Sequence, residues 1–250
     1  MTRALGLAVS VLAVAVLVLA SAGCVTAQIQ VPTTDAARLE RTLTGEKRFL
    51  RVSMYQTPFF GDATRKLLTP LPPSLVRLLE KPDHTPLTPG AVEQTWPAGA
   101  RVTITRVDFP TALSMTERVL YTPRSLVWLT VQLEDGPKNA LPTVVVLRPG
   151  IHTADEFMAE LDKHLTREDP TKQLEAFGDA VRDAVKAKKT VPDMPAEALE
   201  MSWGFPESKK IELEGATRRE TWKWGEGGRT ALLVDGKLTS ASDASSSSSP

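Results

Sequence analysis

The stretch Glu220-Thr221-Trp222-Lys223-Trp224 alternates polar and aromatic residues, which is the two-residue period of a β-strand. Trp222 and Trp224 therefore share one face of the strand, where each can bury roughly 150–250 Å². A glycine-rich turn leads to a second strand, Arg229 to Val234, and Asp235-Gly236 marks a tight turn at its end. The sequence thus predicts antiparallel strands with an aromatic core on one face.

The residues before these strands predict a short helix and a further strand. Asp193 is expected to cap a helix over Pro195 to Trp203, and Gly204 is expected to end it. Ile211 and Leu213 then alternate with charged residues, as a strand with one apolar face does.

Residues 190–240 resemble the small outer-membrane-assembly lipoproteins of the BamE (SmpA/OmlA) type. The resemblance lies in four motifs, which are Met194-Pro195-Ala196-Glu197-Ala198-Leu199, Trp203-Gly204-Phe205-Pro206, the aromatic strand above, and Ala231 to Leu238 with its Asp-Gly-Lys turn. It implies helices packed on a three-stranded antiparallel sheet and a role in outer-membrane assembly.

The first part of the chain after the N-terminus predicts a short helix from Asp35 to Leu43, a strand from Phe49 to Tyr55 and a proline-rich segment over residues 61–98.

The middle of the chain predicts a β region, which includes a strand from Arg118 to Tyr121. Ala100 to Phe109 and Leu126 to Leu133 alternate apolar and polar residues, and Thr143 to Leu147 is a continuous apolar run of a buried strand. Pro97 to Ile104 resembles the first strand of bacterial SH3-like domains. We therefore expect an α+β protein, in which a small SH3-like β-barrel region is followed by helices packed on a three-stranded antiparallel sheet.

Two helices are predicted between these parts. Thr153 and Glu156 form a capping box, in which each side chain satisfies a backbone amide at the start of a helix. Asp169-Pro170 begins the second helix. The expected organisation is a signal peptide (1–23), a lipidated tether (24–45), a proline-rich and SH3-like β region (46–150), two helices (151–190), a BamE-like αβ segment (191–240) and a disordered Ser-rich tail (241–250).

The N-terminus predicts secretion and lipid attachment. Arg3 is followed by an uncharged apolar run that ends in Ser21-Ala22-Gly23-Cys24, which resembles the lipobox of bacterial lipoproteins. The resemblance implies that a lipid is attached to the thiol of Cys24 and that the chain is cut just before it. Val25, in place of an aspartate, implies retention in the outer membrane. An uncleaved anchor helix is the alternative, because about twenty uncharged residues can span a bilayer.

Composition excludes several classes of function. The chain has 250 residues, and its 30 Lys+Arg balance its 30 Asp+Glu. A net charge of zero argues against nucleic-acid binding driven by bulk charge. A single cysteine excludes an intramolecular disulfide and a cysteine-rich zinc site.

No catalytic or metal-binding pattern is present in the sequence, so we expect no enzyme activity and no cofactor. Of the three histidines, His164 is predicted to share a helix surface with Asp155, Glu160 or Asp162, and a solvated surface is favoured over a metal site. Arg124 and Arg148 are candidate contacts for an anion, a carboxylate or a protein partner if they converge near the β region, and ordinary surface arginines are the alternative.

These features together predict a lipid-anchored, periplasm-facing envelope protein in the outer membrane. Its expected role is that of a non-enzymatic protein-binding or scaffolding module, in outer-membrane assembly or maintenance, with an envelope protein as partner. The alternative is a protein that binds peptidoglycan or a small ligand through the SH3-like region. Exposed strand edges in the C-terminal sheet would offer one route to partner binding, by the addition of a strand.

Overall fold

The computed structural model describes residues 31–225 and 228–243. The predicted signal peptide, the predicted lipid-attachment residue Cys24 and the tail from residue 244 lie outside the described residues. Helices α1 to α6 are Thr33–Leu43, Ala112–Glu117, Ala154–His164, Thr171–Glu175, Asp179–Lys186 and Ala196–Trp203. Strands β1 to β12 are Lys47–Leu50, Met54–Phe59, Asp62–Thr69, Gln94–Trp96, Arg101–Asp108, Trp128–Leu133, Thr143–Val146, Leu165–Thr166, Ser208–Glu214, Thr217–Trp224, Arg229–Val234 and Lys237–Asp243.

Strands β1 to β8, between Lys47 and Thr166, form one eight-stranded mixed sheet. Its strand order is β4-β2-β3-β7-β6-β5-β1-β8. All neighbours are antiparallel except β3 and β7, which pair in parallel with Lys66 opposite Thr143. The predicted small SH3-like barrel is therefore wrong, because β1 to β4, which precede the SH3-like stretch that starts at Pro97, and β8, which follows residue 150, join the same sheet.

Three local features explain this error. The single strand expected from Phe49 to Tyr55 is two strands, β1 and β2, interrupted between Leu50 and Met54. The proline-rich segment contributes β3 and β4, because its prolines lie mainly between these strands rather than within them. The strand expected from Arg118 to Tyr121 is a turn that follows α2.

Helix α1 lies in the segment that was expected to be a tether. Its apolar side is buried, with Leu39 and Leu43 at 3% and 2% exposure in the main core. Ala36, one turn before Leu39, packs against the same core. The folded domain therefore begins well before residue 46.

The C-terminal sheet has four strands in the order β12-β11-β10-β9, and all pairs are antiparallel. The predicted three-stranded sheet is wrong because β12 follows the Asp235-Gly236 turn as a fourth strand. Its sequence is polar, and only Leu238 in it is a buried apolar residue. Hydrophobic periodicity gives no signal for such a strand.

Some predictions for the helices are confirmed and others are corrected. The capping box of α3 is confirmed, with Thr153 and Glu156 bonded reciprocally. Gly204 ends α6 with φ +88°, as expected, but Pro195 rather than Asp193 precedes the first helical residue. Residues 151–190 contain three helices instead of two, because the second predicted helix is interrupted at Gly178, between α4 and α5.

Buried polar contacts join the segment between β1 and β2 to α5 and α6. Ser53 donates its hydroxyl to the carbonyl of Val185 (2.7 Å) and accepts a hydrogen bond from the amide of Ala98 (2.9 Å). Lys188 is buried, and its Nζ donates to the carbonyls of Ser53 (2.5 Å) and Ser202 (2.6 Å). Burial holds the pKa of Lys188 well below its ordinary value.

The helices of the described ranges are all too short or too polar to cross a membrane. The longest, α1 and α3, have eleven residues each, whereas a bilayer span needs about twenty apolar residues.

Candidate functional site

A cleft of about 300 Å³ opens between the large sheet and the C-terminal sheet. It is bordered by the end of β3 and the chain after it, by the end of β7, by α3, and by the residues that follow α6. Most of its lining is apolar, from Val52, Pro70, Leu71, Leu75, Val76, Leu78, Val146, Pro149, Phe205, Pro206 and Trp224. Pockets of this volume and polarity are typical of small-molecule sites.

One wall of the cleft carries a cluster of charges around Glu160 of α3. The Nε of Arg148 and the Nζ of Lys163 each lie 2.8 Å from Oε2 of Glu160. The Nε2 of His164 lies 3.6 Å from Oε1. Lys163 and His164 reach the carboxylate because residues three and four positions apart share a face of a helix.

The carboxylate of Glu160 is buried, with 6% of its side chain exposed. Burial alone would raise its pKa, but the hydrogen bonds and charges of His164 and Lys163 outweigh burial and lower the pKa to about 2. The prediction of a solvated helix surface is therefore wrong at this position. The i, i+4 spacing of Glu160 and His164 can be read from the sequence, but the burial of Glu160 cannot.

The rim of the cleft carries two exposed arginines together with one exposed carboxylate, Glu207. The side chain of Arg148 is 64% exposed, so much of its guanidinium faces solvent even though its Nε contacts Glu160. Arg77 is exposed at the same rim. The Nδ1 of His164, at the wall, is buried and has no hydrogen-bond partner among the described residues. Such a rim offers donors to a carboxylate or another anion.

The two arginines singled out from the sequence occupy different environments. Arg148 contacts Glu160 in the cleft. Arg124 follows α2, and its guanidinium donates to the carbonyl of Met115 at 3.1 Å. The carbonyl of Arg124 in turn accepts a hydrogen bond from Arg118, whose guanidinium stacks on Trp128 at 4.0 Å. Arg124 thus has its partners in its own loop, and Arg148 is the one that faces the cleft.

The titratable groups elsewhere do not assemble into a metal site within the described ranges. His84 is exposed beside Glu80, with 3.5 Å between Nδ1 and Oε2. His152 lies just before α3, where its amide donates to Glu156. Cys24 lies outside the described residues.

The second candidate surface is the free edge of the C-terminal sheet, formed by β9. All seven of its residues are exposed, and its partner in the sheet is β10 alone. Ile211 and Leu213 are 50% and 75% exposed, which is unusual for large apolar residues in a strand.

The register shows why these residues are exposed. Lys209 lies opposite Trp222 and Ile211 lies opposite Glu220, so both share the face of the sheet on which Trp222 is buried. The Nζ of Lys209 lies 3.9 Å from the centre of the Trp222 ring and 2.6 Å from Glu200 of α6. The buried aromatic face therefore ends at β10, and β9 extends beyond it.

Comparison of the chain with protein families, curated proteins and solved structures gives no match. Function is therefore inferred from the geometry of the cleft and of the β9 edge. The cleft depends on packing between segments distant in sequence, and β9 is a free edge because it pairs only with β10 among the described residues.

Proposed function

We propose that this protein is a lipid-anchored, periplasm-facing envelope protein that acts as a non-enzymatic protein-binding module, with β9 as the element that binds its partner. The observation that carries the proposal is that all seven residues of this edge strand are exposed. An edge strand presents a row of unpaired backbone amides and carbonyls, and a strand of a partner can pair with them.

The composition of β9 supports partner binding. Natural proteins commonly protect free edges by prolines, bulges, very short strands or lysines, and of these β9 carries only the lysines, Lys209 and Lys210. β9 has no proline, and its register with β10 is continuous over seven pairs from Ser208 to Glu214. Its exposed Ile211 and Leu213 add apolar area that a partner would cover.

The lipid anchor is supported by the sequence around Cys24. Six residues separate Cys24 from Val31, the first described residue, and this length reaches roughly 25 Å even when fully extended. A chain anchored at Cys24 would thus keep the folded domain close to the membrane surface. A β9 partner would then be a protein of the same envelope compartment.

The test uses a photo-crosslinking residue at Leu213 of the full chain in native membranes. We expect discrete crosslinked products from this position, and none from Ser240, an exposed residue on the opposite edge strand. Equal labelling from both positions, or no product from either, would contradict the proposal.

A proline substitution in β9 tests whether the backbone of this strand makes the contact. Ile211→Pro removes one backbone amide from the edge and is expected to abolish the products, whereas Ile211→Ala keeps the amide and should keep most of them. Circular dichroism of both variants reports whether the sheet is intact. Products that survive in a folded proline variant would show that β9 is not the contact.

The cleft favours a second candidate function, which is the binding of peptidoglycan or a small carboxylate ligand. The observation is the exposed guanidinium of Arg148 above an apolar floor. Cosedimentation of the full-length protein with purified peptidoglycan, with and without Arg148→Ala, tests it. Loss of cosedimentation in the variant would support this function, and no cosedimentation of the unaltered chain would exclude peptidoglycan.

A further inference from the structure

The hairpin between β9 and β10 determines which backbone groups of β9 face its free edge. Glu214 and Thr217 flank a two-residue turn, and Gly215 has φ +64° at its first position. The residues that flank a two-residue turn form a hydrogen-bonded pair, and such pairs alternate along an antiparallel ladder. Lys209, Ile211 and Leu213 therefore direct their amides and carbonyls toward the free edge.

Ile211 is the central residue of β9 and is also one of these outward-facing residues. A second copy of β9 can therefore pair with the first in antiparallel orientation, with a two-fold axis at Ile211. In this register Ile211 faces Ile211 of the second copy, and Lys209 faces Leu213 of the second copy on both sides of the axis. The three outward-facing residues of each strand would form about six hydrogen bonds between the chains.

The charges of β9 are complementary in the same register. Lys210 lies opposite Glu212 of the second copy, and the symmetry repeats this pair on the other side of the axis. Ser208 lies opposite Glu214 of the second copy, so residues of like charge do not face each other directly. Opposite charges across a strand pair are favourable, and like charges are unfavourable.

The apolar side chains of the two β9 strands would also pack together in this register. Ile211 and Leu213 are on the face of the sheet that buries Trp222, so pairing would continue this face across the axis. The two Ile211 side chains would contact each other, and each Leu213 would lie on the aliphatic part of Lys209 of the second copy. The two four-stranded sheets would join into one continuous sheet of eight strands.

We propose that two copies of this chain associate through their β9 strands, paired antiparallel about Ile211. This inference rests on the proposed function, since it names the partner of the same edge as a second copy of the chain. It specifies a register, an axis and two pairs of charges, each of which can be tested separately.

The axis is tested by disulfide formation in the full-length protein solubilised in detergent. Ile211→Cys places two thiols opposite each other at about 5.5 Å between Cα atoms, a separation that a disulfide can bridge. We expect a covalent dimer under oxidising conditions. Leu213→Cys is the matched control, because its two copies would lie four residues apart across the axis and should not be linked.

The charges are tested by sedimentation equilibrium of the same preparation. Lys210→Glu and Glu212→Lys each place like charges opposite each other twice, so each should weaken self-association about tenfold. The double variant Lys210→Glu/Glu212→Lys restores both pairs and should restore the association of the unaltered chain. Lys223→Glu, on the neighbouring strand, changes the net charge equally and should have little effect.

Two outcomes would overturn the inference. If the chain is monomeric at all concentrations, β9 does not pair with itself. The same conclusion follows if the chain dimerises but Lys210→Glu and Glu212→Lys leave its self-association unchanged. If the crosslinks from Leu213 nevertheless lead to another protein and are lost in Ile211→Pro, the proposed function stands and only the second copy is excluded. If those crosslinks are absent as well, both proposals fail.

Discussion

At the scale of single residues, Glu160 shows how a buried carboxylate is kept ionised. It contacts Arg148, Lys163 and His164, and it lies at the wall of a cleft. Its pKa of about 2, against an ordinary value of 4.5, means that the folded state stabilises the ionised carboxylate more than the unfolded state does. Its contribution to stability is therefore present above pH 4.5 and is lost as the pH falls through the folded pKa.

We expect Glu160→Gln to lower the free energy of unfolding by about 2–3 kcal/mol at pH 7, because it removes the buried carboxylate whose ionised form the folded state stabilises through Arg148 and Lys163. The loss should shrink as the pH falls from 4.5 toward 2, since the unaltered carboxylate then loses its advantage. Urea denaturation at pH 7 and pH 3 measures both effects. Glu207→Gln, at an exposed position of the same cleft, should change stability little at either pH. An equal effect of the two substitutions would contradict this account.

At the scale of secondary-structure elements, the end of α6 depends on one glycine. Gly204 has φ +88°, and a Cβ added to it would lie 2.8 Å from the Cβ of Pro70. Its carbonyl also accepts a hydrogen bond from Nε1 of Trp224 at 2.8 Å. The helix end, the β3 segment and the aromatic core are therefore positioned together.

Gly204→Ala should destabilise the protein by about 2–4 kcal/mol, through both backbone strain and the contact with Pro70. Gly236→Ala isolates the first effect, because Gly236 has φ +77° but open space around its Cβ position. It should cost only about 1 kcal/mol. The melting temperatures of the two variants make the comparison, and equal losses would show that the Pro70 contact is not important.

The elements that could be predicted from the sequence are those whose signals are local. The capping box of α3 and the alternating strand from Thr217 to Trp224 formed as predicted, because each is specified by neighbouring residues. Strand β12 was missed, whereas helix α1 was predicted as a short helix but was assigned to the tether instead of the folded domain. The first is too polar for a periodicity signal, and the second lies in a segment that a lipid anchor would make a linker.

The candidate site was predictable only in part, for the same reason. Arg148 could be named as a candidate contact from the sequence, but its partner Glu160 could be identified as buried only after α3 was seen to pack at the cleft. The exposed edge of β9 depends on strand order in the C-terminal sheet. Strand order is set by pairing between elements and not by the pattern within one element.

At the scale of the whole molecule, buried polar contacts connect the large sheet to the helices that pack on the C-terminal sheet. Lys188 donates to carbonyls of Ser53, from the segment between β1 and β2, and of Ser202, from α6. It also lies 4.8 Å from the ring of Tyr55. Separation of the sheets would expose these groups, so we expect both sheets to unfold in one transition.

Lys188→Met tests this connection through its pH dependence. Because burial lowers the pKa of Lys188, the unfolded chain binds the proton more strongly, and stability should rise with pH until about pH 10.5. The substitution should reduce this rise and lower the free energy of unfolding, since two buried carbonyls lose their donor. Lys189→Met, at an exposed neighbour, should preserve the rise. Chemical denaturation at pH 7 and pH 9.5 measures both variants.

The order of strands in the large sheet also bears on how the chain reaches its folded state. β1 pairs with β8, so Phe49 lies opposite Thr166, and β3 pairs with β7 across more than seventy residues. Contacts between such distant positions raise the contact order, which slows folding because long loops must close first. A nascent chain that has emerged only to the end of the proline-rich segment has β1 to β4 and lacks the other four strands of this sheet. The sheet can therefore be completed only after residue 166 is available, and folding is expected to follow the synthesis of most of the chain.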